Sequence, residues 1–221
     1  MSEKSERPAS GDAPRILIVD DHAIVRAGLK QIIAERFPRA IFGEGRNARE
    51  AVEEVSRAKW DLMLLDITMP GRSGLDVLKQ IKDIQPDVKV LVLTMHPEDQ
   101  YAVRVLKTGA SGYLTKDASG EVVNAVIKLL AGGKYVSPAL AESLALSLSA
   151  PAAKRRHETL SDREYQIMRL IASGNTVKEI AFDLSLSVKT VSTYRTRVLK
   201  KLNFMTNADL IRYAIREKLL D

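Results

Sequence analysis

Residues 16–33 read ILIVDDHAIVRAGLKQII, in which an apolar run is followed by two aspartates and then by a helical pattern. Further apolar runs occupy residues 61–65, 89–93 and 112–114, and a weaker run covers residues 40–42. Apolar runs without polar alternation are typical of strands buried on both faces of a parallel sheet. Because a helix-length segment follows each run, the sequence predicts five βα units and a doubly wound α/β sheet with right-handed crossovers.

The helix-length segments carry apolar residues at helical spacing, which predicts a helix in each. The residues at this spacing are Val25, Leu29, Ile32 and Ile33 in the first helix; Leu75, Leu78 and Ile81; Tyr101, Val105 and Leu106; and Val122, Val123, Val126, Ile127 and Leu130 in the last helix.

The pattern changes after residue 133 and becomes entirely helical from Leu160 onward, which predicts a second domain. The predicted organisation is a flexible tail at 1–14, an α/β domain at 15–133, a linker at 134–158 with a candidate short helix from Pro138 to Leu148, and an all-α domain of four helices at 159–221. Those helices are predicted at about 162–173, 177–184, 188–202 and 207–217 from capping signals. The signals are the capping-box pairs Ser161–Glu164, Thr176–Glu179 and Thr206–Asp209, and a helix-ending Gly174.

The charge of the chain is distributed unevenly. The 221 residues carry a formal net charge of +6, and the segment from Lys154 to Asp221 holds fourteen basic and eight acidic residues. All of the excess therefore lies in the last third, which predicts a nucleic acid or an anionic surface as the partner of that third alone.

The composition also excludes several classes of chemistry. The chain has no cysteine, so disulfides and thiolate metal sites are excluded. Its three histidines, His22, His96 and His157, are expected to be exposed or at helix ends. No apolar run reaches the roughly 18 residues of a membrane span, and the N-terminus lacks the apolar core of a signal peptide. We therefore expect a cytoplasmic protein without a membrane partner.

Polar side chains follow the predicted strands at the point where each strand ends. Asp20 and Asp21 follow the first run, Asp66 the third, Thr94 the fourth and Lys116 the fifth. The carboxyl ends of parallel strands meet at one edge of a sheet, where ligands bind in folds of this type. The alternative is that the aspartates only cap the helices that follow them. This alternative can explain any single aspartate, but it does not explain why all five polar residues stand at strand ends.

Clustered carboxylates repel one another unless a cation or a proton offsets them, and the hard cation Mg²⁺ suits oxygen ligands. Lys116 is suited to a phosphoryl oxygen, and the Thr68 carbonyl is a further candidate metal ligand. A carboxylate beside such an ion can accept a phosphoryl group, and Asp66 is the best candidate because a loop follows it directly.

The motifs VDDH at 19–22, LLDITMPGRSG at 64–74, LTMHPED at 93–99 and GASGYLTKD at 109–117 resemble the receiver domain of bacterial response regulators. The resemblance implies a five-stranded sheet of order 2-1-3-4-5. It also implies phosphorylation of Asp66 by a histidine kinase, Mg²⁺ held by Asp20 and Asp21, and a phosphoryl contact from Lys116.

Two further residues are implied to form a switch, in which Thr94 moves toward the phosphoryl group and Tyr113 turns inward behind it. The sequence departs from the common receiver pattern at Asp117, where many receivers carry proline, and at Met95, where many carry a smaller residue.

The predicted helix at 188–202 has a polar face without acidic residues. Val191, Val198 and Leu202 form its apolar stripe, and Arg195 lies toward that stripe, where it is expected to reach a phosphate or pair with a carboxylate of the domain. Short hydroxyls on the polar face can approach base edges while cations reach phosphates, and the preceding short helix and turn give the order of a helix-turn-helix motif. The candidate DNA-contacting residues are Lys189, Thr190, Ser192, Thr193, Tyr194, Thr196, Arg197 and Lys200.

The segment LSDREYQIMRLIASGNTVKEIAFDLSLSVKTVSTYRTRVLKKL at 160–202, continued by TNADLIRYAI at 206–215, resembles the LuxR-type DNA-binding domain. Together with the receiver, it is similar to the NarL/FixJ group of response regulators. This resemblance implies a phosphorylation-controlled transcription factor, not an enzyme, that binds promoter DNA as a homodimer and acts on RNA polymerase.

Two other functions remain open from the sequence. One is a Mg²⁺-dependent phosphatase that uses an aspartyl phosphate, although Thr68 stands where such an enzyme needs a second carboxylate. The other is a regulator that binds DNA constitutively and retains a vestigial phosphorylation site.

Overall fold

Five parallel strands form a sheet in the order β2-β1-β3-β4-β5. The strands are β1 (Arg15–Val19), β2 (Ile41–Gly45), β3 (Leu62–Asp66), β4 (Lys89–Thr94) and β5 (Gly112–Thr115). The computed structural model describes residues 13–69, 74–95, 98–138, 140–142, 156–217 and 219–220. The predicted α/β architecture, including its strand order, is confirmed.

The chain divides into two units, Met1–Ala145 and Leu146–Asp221. In the first unit each strand leads into a helix. The helices are α1 (Ala23–Arg36), α2 (Ala48–Arg57), α3 (Gly74–Ile84), α4 (Glu98–Lys107) and α5 (Val122–Leu130). A 3₁₀ turn at Lys116–Glu121 separates β5 from α5.

The inner strands are buried except at the first residues of β1 and β4, Arg15 and Lys89, which explains their apolar runs. Every residue of β3 is at most 2% exposed. Strand β2 lies at the edge of the sheet and is less buried, since its Ile41 is 46% exposed. This position agrees with its weaker apolar run. Within β2, a Cβ atom at Gly43 would overlap the indole ring of Trp60, so this glycine makes room for the single tryptophan of the chain.

The apolar residues at helical spacing are not all buried in the first and last helices of this unit. Ile32 in α1 is 40% exposed, and the buried residues of α1 are Arg26, Leu29 and Ile33. In α5 the residues Val123, Ile127 and Leu130 are only partly buried, and the buried stripe is Val122, Ala125, Val126 and Leu129. Apolar residues surround more than one face of α5, so helical spacing alone does not identify the face that contacts the sheet.

The second unit consists of short helices joined by tight turns. They are α6 (Asp162–Ala172), α7 (Val177–Asp183), α8 (Val188–Leu202) and α9 (Asn207–Arg216), preceded by a 3₁₀ turn at Arg156–Thr159. All three predicted capping boxes are present at the starts of α6, α7 and α9. The local sequence therefore fixes where these helices begin, since each box satisfies backbone N–H groups that the helix leaves unpaired.

Among the described residues, three turns of this unit use the left-handed backbone region; the one at Asn203, with φ of 57°, ends α8, and the other two follow α6 and α7. Gly174, with φ of +93°, ends α6 as predicted, and its N–H donates to the carbonyl of Ile171. The turn between α7 and α8 contains Ser185 with φ of 51°, and the N–H of Leu186 donates a hydrogen bond to the carbonyl of Ala181. Both turns follow the pattern in which backbone N–H groups beyond the helix satisfy its last carbonyls.

The prediction that all three histidines are exposed or at helix ends is wrong for His157. Its side chain is only 8% exposed, and its Nδ1 lies 2.9 Å from the hydroxyl of Tyr213 in α9. His157 is tolerated in the core of the second unit because its ring nitrogen has a hydrogen-bond partner. His22, by contrast, is the exposed N-cap residue of α1.

Several predicted features lie wholly or largely outside the described residues. They are residues 1–12 of the predicted tail, the loop at 70–73, His96, and residues 143–155 of the linker with most of its candidate helix; residues 138 and 140–142 are helical. Among the described helices, none combines the length and the apolarity needed to cross a membrane.

A pair of glycine substitutions in the first unit should have opposite effects on its stability. Gly28 lies inside α1 with open space where a Cβ would be, so Gly28→Ala should raise the free energy of unfolding by about 0.5–1 kcal/mol. Gly109 has φ of +108°, so Gly109→Ala should lower it by about 1–2 kcal/mol. Urea denaturation followed by Trp60 fluorescence reports on this unit; stabilisation by both substitutions would contradict the assigned backbone conformation of Gly109.

Candidate functional site

The predicted polar residues lie at the carboxyl edge of the sheet. Asp66 and Thr94 are the last residues of β3 and β4, and Asp20 and Lys116 directly follow β1 and β5. Because β1, β3, β4 and β5 are neighbours, their ends bring these side chains to the same edge. Asp20, Asp66 and Thr94 are each at most 2% exposed.

Lys116 joins the two buried carboxylates. Its Nζ lies 2.7 Å from Oδ2 of Asp20 and 2.6 Å from Oδ2 of Asp66. Burial alone lowers the pKa of Lys116, but hydrogen bonds and charge interactions with Asp20 and Asp66 outweigh this and raise its pKa above the ordinary value. The ammonium group is therefore fully charged at neutral pH and offsets part of the carboxylate repulsion.

The second carboxylate oxygen of Asp66 is held by Thr68. The backbone N–H of Thr68 donates to Oδ1 of Asp66 at 2.7 Å, and its hydroxyl donates to the same oxygen. With Lys116 on Oδ2, the orientation of the Asp66 carboxylate is fixed from both sides. Thr68, whose carbonyl was predicted as a metal ligand, thus contacts Asp66 through its amide and hydroxyl groups.

An acidic cluster opens to solvent beside this buried pair. One ligand atom from each of Asp20, Asp21 and His22 lies within 4.8 Å of the others. The side chain of Asp21 is 30% exposed, so an ion can reach the cluster from water. Carboxylate oxygens are the ligands that Mg²⁺ prefers, so the carboxylates of Asp20 and Asp21 in this cluster fit this ion.

Two contacts at this cluster were not anticipated from the sequence. The Nδ1 atom of His22 lies 3.0 Å from Oδ1 of Asp21 and 3.2 Å from Oδ1 of Asp20. Arg26 is buried near the start of α1, and its Nη1 donates to the backbone carbonyl of Asp20 at 2.8 Å. The contact of His22 could have been predicted from the sequence, because His22 directly follows the two aspartates. The contact between Arg26 and the Asp20 carbonyl could not, because it depends on how α1 packs.

Thr94 and Tyr113 are both fully buried, at 0% exposure. Tyr113 pairs in register with Val92, two residues before Thr94, so both side chains lie on the same face of the sheet. The departure at Asp117 falls in the exposed 3₁₀ turn after Lys116, where a hydrogen bond from the Thr115 side chain lowers the Asp117 pKa.

A second candidate surface is the polar face of α8. Its apolar stripe, Val191, Val198, Leu199 and Leu202, is buried in the second unit. The exposed residues are Lys189, Ser192, Thr193, Thr196, Arg197 and Lys200, and Thr190 and Tyr194 are partly buried. All eight predicted DNA-contacting residues therefore have accessible surface, on a helix without acidic side chains.

The hydroxyls on this face are oriented by the helix itself. Thr193 donates to the carbonyl of Lys189 at 2.9 Å, and Thr196 donates to the carbonyl of Ser192 at 3.0 Å. Each hydroxyl proton is thus engaged, so these threonines present oxygen lone pairs and methyl groups outward.

Polar contacts fix α8 within its unit. Nζ of Lys201 lies 2.6 Å from Oε2 of Glu164, whose side chain is 4% exposed and also caps α6. Burial raises the pKa of Glu164, but hydrogen bonds from Lys201 and Ser161 outweigh it and hold the pKa below its usual value. The expected partner of Arg195 was a phosphate or a carboxylate; its Nε instead donates to the amide oxygen of Asn207 at 2.7 Å.

Comparison with known proteins gives consistent matches for both units. Residues 16–128 match the family described as "Response regulator receiver domain", and residues 158–214 match "Bacterial regulatory proteins, luxR family". The chain is 38% identical over 206 residues to "Response regulator UvrY" of Escherichia coli (strain K12), covering 92% of this chain and 94% of that protein. It is 36% identical over 209 residues to "Response regulator GacA" of Pseudomonas viridiflava, covering 94% and 98%.

Among solved structures, the chain resembles RcsB from Salmonella enterica serovar Typhimurium bound to promoter rprA in the presence of phosphomimetic BeF3⁻. The TM-score is 0.61 at 25% identity, and the match covers 91% of this chain and 98% of RcsB.

Loss of the Lys201 ammonium should destabilise the second unit in a pH-dependent way. Lys201→Met leaves the buried Glu164 carboxylate without its cation, at an expected loss of about 1–3 kcal/mol at neutral pH. Because the Glu164 pKa is lowered in the folded state, the charged carboxylate stabilises the fold at pH values above the ordinary glutamate pKa. This contribution disappears as the pH falls through the folded-state pKa. The deficit of the variant should therefore shrink in acid.

Hydrogen exchange of peptides from α6 and α8 in the full chain measures this effect. Lys200→Met is the matched control, since Lys200 is exposed on the same helix and its removal should change stability by less than about 0.5 kcal/mol. Equal losses for the two variants, or a deficit independent of pH, would show that the Lys201–Glu164 contact does not stabilise the unit.

Proposed function

The chain belongs to the response regulators of the NarL/FixJ group, which join a receiver domain to a LuxR-type DNA-binding domain and regulate transcription, and we propose that phosphorylation of Asp66 controls it. The observation that carries this proposal is the contact between the Lys116 ammonium and the buried carboxylates of Asp20 and Asp66. It places a permanent cation beside the acceptor oxygen, where negative charge accumulates during phosphoryl transfer.

The phosphoryl donor is a histidine kinase. A carboxylate oxygen of Asp66 attacks phosphorus, the new O–P bond forms as the N–P bond of the phosphohistidine breaks, and the departing imidazole takes up a proton. The N–H of Thr68 orients Asp66, and Lys116 binds a phosphoryl oxygen in the product. Asp20, Asp21, Asp66 and the carbonyl of Thr68 would hold Mg²⁺, and this ion would supply further positive charge to neutralise the phosphoryl group.

Thr94 and Tyr113 transmit the change. Their burial on one face of the sheet supports a coupled movement, in which Thr94 shifts toward the phosphoryl oxygen and vacates space into which Tyr113 turns. Close packing favours this coupling, because a buried side chain cannot leave its position without another filling it.

The polar face of α8 binds the major groove of promoter DNA. Lys189, Arg197 and Lys200 contact phosphates, and Tyr194 contacts the backbone. Ser192, Thr193 and Thr196 contact bases, with Thr190 beside them. Because the hydroxyl protons of Thr193 and Thr196 are engaged by the helix, these residues read base amino groups and thymine methyls.

The regulator binds DNA as a homodimer at two half-sites. One small helical domain buries little DNA surface, so sufficient affinity needs two copies. The related RcsB has been solved as dimers bound to DNA. The helices α4 and α5 supply the contact in the first unit, the cytoplasm is the site of action, and RNA polymerase is the partner at the promoter.

The phosphatase alternative is not supported. Both matched families belong to regulators, and Thr68, which that mechanism needs as a second carboxylate, binds Asp66 through its amide and hydroxyl groups. The following experiment distinguishes a regulator controlled by phosphorylation from one that binds DNA constitutively and retains a vestigial phosphorylation site.

Asp66→Asn should abolish phosphoryl acceptance without unfolding the first unit, because an amide is similar in shape but cannot form the acyl phosphate. Incubation with acetyl phosphate and Mg²⁺, followed by intact-mass measurement, should show one added phosphoryl group on the wild type alone. Asp76→Asn, at an exposed carboxylate in the first turn of α3, is the control and should label normally. Labelling of Asp66→Asn would refute the assignment, and an unlabelled wild type would favour the vestigial site.

Substitutions on α8 should separate specificity from affinity. Thr196→Ala should cost roughly 1–3 kcal/mol on a duplex selected by the wild type and little on a scrambled duplex. Lys200→Ala should weaken both about equally and reduce the slope of log affinity against log salt by about one unit. Binding isotherms at several salt concentrations test this, and the reverse pattern would mean that α8 enters the groove in another orientation.

A further inference from the structure

Arg26 is a charged residue buried in α1 beside the acidic cluster, at only 8% exposure. A buried guanidinium needs acceptors for its N–H groups, since unpaired buried charge is costly. Arg26 donates through Nη1 to the carbonyl of Asp20 at 2.8 Å and through Nε to Oε2 of Glu44 at 3.1 Å. One planar side chain therefore connects the carboxyl edge of β1 to that of β2.

The carbonyl that Arg26 binds belongs to the peptide group joining Asp20 to Asp21. A peptide group is planar, so fixing the direction of its carbonyl restricts the backbone on both sides and the Cα–Cβ bonds of both aspartates. The other polar groups of Asp20 are also engaged: its N–H by the carbonyl of Gly45 at 3.1 Å, and its carboxylate by the N–H of His22 and by Lys116.

We propose that Arg26 is a positioning residue for the divalent cation: it fixes the Asp20–Asp21 peptide so that both carboxylates point at one ion. This inference rests on the proposed function, in which these aspartates hold Mg²⁺. Glu44 completes the arrangement because its carboxylate offsets the guanidinium charge, which would otherwise repel the ion. Lys30 lies 3.6 Å from the other oxygen of Glu44 and keeps that carboxylate in place.

Charge and geometry must be separated in the test. Arg26→Met alone removes the hydrogen bond but also removes one positive charge from beside Glu44, which makes the site more attractive to cations. The double variant Arg26→Met/Glu44→Gln preserves the net charge while it removes the contact with the Asp20 carbonyl together with the Arg26–Glu44 ion pair. Arg49→Met/Glu53→Gln is the matched control, since it deletes an Arg–Glu pair of the same type, 2.7 Å apart on the surface of α2.

Calorimetric titration of the full chain with Mg²⁺ alone measures the dissociation constant without any phosphodonor. For the Arg26→Met/Glu44→Gln variant we expect binding weaker by roughly tenfold, at the lower end of what loss of a group supporting a metal ligand produces. The control should bind Mg²⁺ like the wild type. Arg26→Lys should recover part of the affinity, because an ammonium reaches either the carbonyl or Glu44 but not both in the same geometry.

A second readout distinguishes positioning from a general loss of folding. In phosphorylation by acetyl phosphate, the Mg²⁺ concentration for half-maximal rate should rise by the same factor of about ten, while the rate at saturating Mg²⁺ stays close to that of the wild type. A partly unfolded variant would instead lose maximal rate.

The outcomes separate the two proposals. If the wild type binds Mg²⁺ and is phosphorylated but the double variant matches it in affinity, the positioning role of Arg26 is refuted. If the double variant loses maximal rate without a change in Mg²⁺ affinity, Arg26 serves only folding and the inference is again overturned. If the wild type itself binds no Mg²⁺ and accepts no phosphoryl group, the proposed function fails instead.

Discussion

Repulsion among carboxylates at one edge of the sheet is the constraint on which the rest of the first unit depends. Parallel strands necessarily end together, and here those ends carry Asp20, Asp21 and Asp66. One largely buried ammonium, that of Lys116 at the end of the edge strand β5, offsets two of them. The fold therefore accommodates a cluster in which carboxylates attract a cation and the Lys116 ammonium attracts an anion, and phosphoryl transfer uses both kinds of interaction.

The sequence was sufficient to predict which residues converge at this edge. The reason is geometrical, since Asp66 and Thr94 are each the first polar residue after a buried run and parallel register then fixes their position. It was insufficient for contacts that depend on which helical face packs inward. Arg26 occupies a buried position that its charge argued against, and Ile32 is exposed although its spacing favoured burial. For Arg26, the acceptors offered by Asp20 and Glu44 allow the burial that its charge opposes.

The second unit shows the same division between local and tertiary information. Helix starts were predictable because a capping box is a signal within four residues, as at Ser161 and Thr206. The burial of His157 and the pairing of Arg195 with Asn207 depend on groups 56 and 12 residues away along the chain. Such contacts need the fold, and together with the Lys201–Glu164 contact they hold α8 so that its polar face is exposed.

The buried hydrogen bond between His157 and Tyr213 bears on where this unit can be cut from the chain. The matched family segment spans residues 158–214, yet His157 lies just outside it. So does Leu219, which is 6% exposed and accepts a hydrogen bond from Arg169 through its carbonyl. A recombinant fragment trimmed to the family boundaries would thus remove two core side chains, and a fragment that keeps both must include residues 157–219.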